Sequence, residues 1–480
     1  MPMERMMQER SKLKRVLSRS DVMALSFGTM IGWGWLVLPG EWIARAGFIG
    51  ALFALLIGGG MCILVGLTYA ELTTALPITG GELTFTYRGL GYFFSWTAGW
   101  AISFAYIGVA AWEGIAISTA IDSIFDVPQI GYLWTVVGYP VYFSWALMGM
   151  IGAIVLTILN IIGVKPSAIF QLMGTIGLVA TGIVFLSGSA AFGDGAYVGK
   201  LFTSTAGMGA VLLVVPSMFV GFDVIPQSAE EMKMPLKDIA KVLIFSIVLA
   251  GSWYILMTIG IAFAIPPEQR IEASIPLADA ATFSYLSPTF GKIMVVGGVC
   301  GILTSWNGFF VGASRILFAM GRARMLPAFF AKIHPRYQTP YVSLGFVGGI
   351  CLIVPLLGRN ALVWFINTAA LGTVVSYLLV AVSFIVLRSK EPDLSRPFRV
   401  KHWKVVGIGA IGASLFLLSL FTPINVNLVP WSYEWGLILL WTFIGIGLAL
   451  YTKLNSKRTT RSERELLLFG EEYAREEYMQ

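Results

Sequence analysis

Charge, cysteine and histidine are all scarce in this sequence, and each scarcity closes a class of function. Only 12% of the 480 residues are charged and 57% are hydrophobic, whereas a soluble domain carries about 25% charged residues. A soluble enzyme is excluded. Cys62, Cys300 and Cys351 are the only cysteines; all lie in apolar runs and share no short spacing, so neither a disulfide framework nor a metal cluster is indicated. His334 and His402 are the only histidines, which leaves histidine catalysis and zinc little to draw on. Neither a zinc-binding histidine pair nor a G-x-S-x-G motif occurs. The excess of 33 Lys and Arg over 26 Asp and Glu gives a charge of +7. In a soluble chain that would raise the question of nucleic acid, but here a membrane accounts for it, and no nucleic-acid partner and no cofactor are expected.

What is abundant is apolar sequence in runs near the roughly 20 residues that span about 30 Å of hydrocarbon. Twelve are predicted, at 22–44, 48–75, 92–121, 131–163, 166–190, 206–225, 239–265, 288–321, 341–357, 361–387, 405–424 and 433–451. The first 20 residues hold six basic residues and no apolar core of a signal peptide, so the first span is expected to stay as an anchor. With both termini placed in the cytoplasm, every Lys and Arg except Arg45, Lys200, Arg270, Lys292 and Arg359 falls on the inner side, as positive residues do. The expectation is a multi-pass protein of the cell membrane, a bacterial inner membrane suiting it best, with the lipid bilayer as its partner. Its segment Arg461–Gln480, with Leu466, Leu467, Leu468, Phe469, Tyr473 and Tyr478 among charges, reads either as an amphipathic helix on the inner face or as a solvated tail.

Two spans are unlike ordinary membrane helices. Span 1 reads Gly28-Thr29-Met30-Ile31-Gly32-Trp33-Gly34-Trp35 and then Pro39-Gly40; span 6 reads Val215-Pro216-Ser217-Met218-Phe219-Val220-Gly221-Phe222-Asp223-Val224-Ile225-Pro226. Glycine weakens a helix and each proline removes a backbone donor. Interrupted backbone in lipid is tolerated only where protein or a water-filled cavity surrounds it. Span 1 opens a first set of five spans (21–190) and span 6 a second (206–388), and interrupted helices at matching places in two halves point to an inverted-repeat transporter. The amide ends of half-helices attract an anionic group, while freed carbonyls attract a cation. A zwitterion suits both.

These residues also carry a resemblance. Gly28–Gly34 is similar to the first-helix glycine motif of the amino acid-polyamine-organocation (APC) superfamily. Gly221-Phe222-Asp223 running into Ala229-Glu230-Glu231-Met232-Lys233-Met234-Pro235 resembles its sixth-helix signature, and Leu387-Arg388 through Glu391-Pro392 to Arg396-Pro397-Phe398-Arg399 resembles the stretch after helix ten. The resemblance implies an all-α membrane protein of 12 transmembrane helices. They would form a LeuT-like five-plus-five inverted repeat with helices 1 and 6 unwound, followed by two C-terminal helices (403–453) between cytoplasmic tails at 1–20 and 454–480. It also implies secondary transport of amino acids or related amines, as a symporter or antiporter.

By position, the substrate carboxylate would meet backbone at Met30, Ile31, Gly32, Trp33 and Gly34. The ammonium would meet carbonyls at Ser217, Met218 and Val220, and Ser103 and Phe309 would supply selectivity. Trp33 is bulky where many relatives are small, and Ser217 is small where a gating aromatic is common. Trp33 is therefore expected to fill the space left at 217, to offer a cation–π face, or to point into neighbouring helices. Phe219 or Phe222, beside Gly221, would then be the gate, and Asp223 would either cap the next half-helix and orient the gate or carry a proton.

Thr304 and Ser305 resemble a hydroxyl pair that binds sodium in related transporters; the helix-5 lysine that replaces sodium in proton-coupled relatives has no counterpart here, since no Lys or Arg lies between Pro166 and Gly199. Sodium, a proton or no coupling ion at all stays open, as does oligomeric state. Glu113, counted from the start of its span, is expected near the outer surface. Glu71, Glu230 and Glu231 are expected toward the cytoplasm, pairing with basic residues such as Arg315 and Arg322. Two further readings stand beside amino acid transport: carriage of an amine without a carboxylate, such as a polyamine or ethanolamine, and a nutrient receptor that binds without transporting.

Overall fold

The computed structural model describes residues 13–125, 127–419, 421, 433–455 and 459–474. The outer parts of the expected tails, Tyr478 included, and positions 420 and 422–424 of the expected eleventh span lie outside these. The described helices are, in order, α1 (Arg19–Met30), α2 (Gly34–Ala46), α3 (Phe48–Ala75), α4 (Glu82–Leu90), α5 (Tyr92–Phe125), α6 (Phe143–Ile162), α7 (Val164–Phe192), α8 (Thr205–Val214), α9 (Val224–Gln227) and α10 (Leu236–Ala264). They continue with α11 (Pro267–Glu272), α12 (Pro276–Tyr285), α13 (Pro288–Arg322), α14 (Tyr341–Ile353), α15 (Ala361–Lys390), α16 (Trp403–Ser419), α17 (Tyr433–Asn455) and α18 (Arg461–Tyr473).

Among the described residues nine helical stretches are long and apolar enough to cross a membrane, and the bent pair α1–α2 makes ten if taken as one span; Tyr341–Leu357 and Trp403–Ser419 are shorter apolar helices. The protein is therefore an all-α, multi-pass membrane protein. One boundary is corrected. The run at 131–163 is not helical throughout, because strands β1 (Tyr132–Val136) and β2 (Tyr139–Tyr142) form an antiparallel hairpin before α6 begins. Its aromatic and β-branched residues favour strands, and Val137 and Gly138, both at positive φ, make the two-residue turn that such a hairpin needs.

Packing joins helices far apart in the chain. α5 packs on α15, α13 packs on α7, and α3 packs on α10. A buried polar knot fixes one of these seams: Asn160 Nδ2 donates to Asn307 Oδ1 (2.8 Å), Asn307 Nδ2 to Gln171 Oε1 (2.8 Å), and Gln171 Nε2 to the Ala24 carbonyl (3.2 Å). The last long helix is held differently. Trp100 of α5 and Trp441 of α17 stack 4.4 Å apart, and each indole N–H donates to the other's backbone carbonyl, at 3.1 and 3.2 Å.

At the end rich in Lys and Arg, buried and half-buried acids meet partners far along the chain. Glu71 Oε2 lies 2.6 Å from Arg388 and its Oε1 3.2 Å from Arg396, while Glu230 takes both ends of the Arg322 guanidinium at 2.9 Å. Glu231 likewise takes Arg315 at 3.0 and 3.2 Å. Arg88 binds Glu391 (2.9 Å) and, on α18, Glu465 (3.1 Å). The segment Arg461–Tyr473 is thus a helix, capped by Thr460 with Glu463, and Leu466 to Phe469 bury against the protein.

Candidate functional site

Helix α1 stops at Met30 and α2 starts at Gly34, with a bend of 46° between them. The break is local in origin: Gly28, Gly32 and Gly34 stand where a helix would need good formers. The Met30 carbonyl accepts from the Tyr254 hydroxyl (3.1 Å). In the sixth span, α8 gives way at Val215 to a tighter turn through Phe219, and α9 starts only at Val224. Gly221 in that gap has φ +133°, a region open to glycine and costly for other residues. Its N–H donates to Asp223 Oδ1 at 2.8 Å. Asp223 makes no side-chain cap bond to α9.

Between the two breaks lies a cavity of about 360 Å³. Of the residues singled out in the sequence, Met30, Gly32, Trp33, Gly34, Ser217, Met218, Val220, Ser305 and Phe309 line it. The rest stand behind it. Ile31 is fully buried. Ser103 is also buried, and its hydroxyl donates to the Trp100 carbonyl (2.8 Å). Phe219 packs toward Tyr254 (6.3 Å), and Phe222 lies between Tyr69 and Tyr377 at 5.4 and 5.5 Å. Thr304 gives its hydroxyl to the Cys300 and Gly301 carbonyls, each at 3.0 Å.

Trp33 belongs to both surroundings weighed for it. It lines the cavity, and its ring is seated on α13, where a methyl added to Gly298 would come within 2.4 Å of it. Trp33→Ser is expected to enlarge the cavity and to weaken binding of a small substrate by about tenfold or more, the scale of lost methylene contacts in a fitted pocket. Equilibrium binding to the purified variant checks this, and unchanged affinity would put the indole outside the site.

One acid is placed differently from its expected position. Glu113 is wholly buried, and a methyl built on Gly32 would stand 3.4 Å from both Glu113 Oε1 and Ser305 Oγ. Helix α5 has 34 residues, about 51 Å at 1.5 Å per residue, so it overshoots the hydrocarbon and a count from its first residue overstates the distance travelled across the bilayer. Outside the spans, Glu82 of α4 accepts from the Gln227 side chain at the end of α9. Burial pushes its carboxyl above the ordinary range, and the charge of Asp223 acts in the same direction.

Sequence reasoning missed Tyr254 and Trp112. Trp112 and Tyr254 line the cavity, and the only available signal was an aromatic inside an apolar run, which buried helices show everywhere.

Comparison with known proteins adds to this geometry. The family model described as amino acid permease matches residues 17–448. The branched-chain amino acid permease BcaP of Bacillus subtilis is 27% identical over 453 residues, covering 93% of this chain and 94% of that protein. The methylthioribose transporter of the same organism is 27% identical, over 88% of this chain and 92% of its own. Cationic amino acid transporter 4 of Mus musculus is 30% identical over 81% of this chain and 62% of its own.

Proposed function

The chain belongs to the amino acid permease family, whose members are transporters and not enzymes, and from that premise we propose that it is a secondary transporter carrying amino acids by alternating access. The observation that carries this reading is the cavity bounded by both helix breaks. The backbone N–H groups where α2 begins would take the carboxylate, and carbonyls from Ser217 to Val220 would take the ammonium. Val37, Leu38, Val109, Trp112, Met218 and Ile366 make the wall largely apolar, which suits a small neutral side chain. The branched-chain relative points the same way.

The reciprocal packing of α5 with α15 and α13 with α7 supports a five-plus-five repeat, in which Tyr341–Leu357 and Trp403–Ser419 supply the ninth and eleventh of twelve spans. The asymmetry of Lys and Arg supports a cell-membrane protein with both termini inside. Glu113 and Ser305 flank Gly32 with hard oxygens, so proton or sodium coupling would act there. The same buried carboxylate favours a second reading, an amine without a carboxylate.

Uptake into proteoliposomes of neutral amino acids and of their decarboxylated amines, in sodium and in potassium and with and without a pH gradient, tests these readings. Amino acids are expected to be preferred at least about tenfold, since a hydrogen bond to a charged group is worth about 1.5–3 kcal/mol. Accumulation of amines alone would remove the carboxylate role, and binding without accumulation would make the protein a receptor.

A further inference from the structure

Beside the Trp100–Trp441 clamp, α5 and α17 border a second cavity, of about 470 Å³, that shares no lining residue with the cavity between the helix breaks. Its walls divide by chemistry. Phe93 and Leu450 form an apolar side that opens outward, at 70% and 53% exposure. Lys453 of α17, Arg324 just beyond α13 and Arg464 of α18 bring three cations to the other side, and none of the described lining residues is acidic. Arg464 is held in place, its Nε donating to the Ala323 carbonyl (3.1 Å) and its guanidinium lying 4.6 Å over the Tyr92 ring. Trp96, a third lining residue of α5, has a buried indole N–H without an acceptor among the described residues.

Cations beside an exposed apolar wall match a phosphoryl anion that carries acyl chains. The cavity also lies where the basic residues of the loops collect, the side on which anionic headgroups concentrate cations. We propose that this cavity binds an anionic phospholipid, its phosphate among Arg324, Lys453 and Arg464 and its chains along Phe93 and Leu450. A headgroup or a soluble phosphate would share that chemistry.

Native mass spectrometry of the full-length protein, extracted from nanodiscs of phosphatidylglycerol or of phosphatidylcholine, tests the assignment. Phosphatidylglycerol is expected to be retained in preference. Lys453→Gln, a change at an exposed side chain, is expected to lower retention about fivefold, the factor for about 1 kcal/mol per basic residue at an anionic surface, and K453Q/R464Q further. Melting temperature is read in parallel with inorganic phosphate as the added probe. Stabilisation by inorganic phosphate equal to that by the lipid would overturn the lipid assignment in favour of a soluble anion. Equal retention by wild type and K453Q, or of both lipids, would overturn the site.

Discussion

Arg315→Met is expected to lower stability by about 3–5 kcal/mol, the cost of leaving a buried charge without its partner. Both Arg315 and Glu231 are essentially inaccessible to solvent. The guanidinium meets the carboxylate through two nitrogens at 3.0 and 3.2 Å, and its third donates to Ser314 Oγ at 2.8 Å. Glu231 is wholly buried, and its backbone is held in place by the N–H groups of Val16 and Leu17, which donate to its carbonyl at 2.8 and 2.9 Å. The measurement is thermal unfolding of the purified protein in one detergent. A charge left alone is the cause only if the double replacement R315M/E231L recovers most of the loss, since two apolar side chains of similar volume need no partner. A double variant as unstable as the single one would instead assign the loss to packing.

Gly221→Ala is expected to reduce substrate uptake per folded molecule by at least about tenfold, which corresponds to about 1.4 kcal/mol in the transport barrier. Two effects act together. The φ of +133° is strained for any residue with a side chain, and the added carbon would stand 2.9–3.0 Å from Thr29 Cγ2, the Thr29 carbonyl carbon and the Met30 nitrogen. Those atoms end α1, so relief must move one break against the other. Gly209→Ala, on α8 of the same span, meets nothing within 4 Å and serves as the control. Normal uptake by G221A would mean that the approach of the two breaks does not matter for transport.

The breaks were legible because they rest on glycine and proline, whose backbone effects act locally and do not depend on partners. Most of the lining followed, since Met30 to Gly34 and Ser217 to Val220 are the breaks themselves. Side chains arriving from unbroken helices were not legible. Tyr254 and Trp112 lie in runs apolar on every face, so periodicity gives no hint of which side meets the cavity. The hydroxyls of Ser103 and Thr304 could serve a ligand or their own helix, and only coordinates reveal that backbone carbonyls already take them. Glu113 was placed wrongly because depth was counted along a helix longer than the membrane is thick. The acids of the basic face were recognised as paired, but Glu71 reaches Arg388 across 317 positions, and no spacing rule encodes that.

The reciprocal indole bonds between Trp100 and Trp441 bear on how the molecule is made. During synthesis α5 enters the membrane more than 300 residues before Trp441 is translated, and until then the Trp100 N–H has no backbone acceptor from α17. An unsatisfied donor in hydrocarbon is costly. A chain that stops short of Trp441 therefore leaves the indole donor of an early helix without the acceptor that α17 brings.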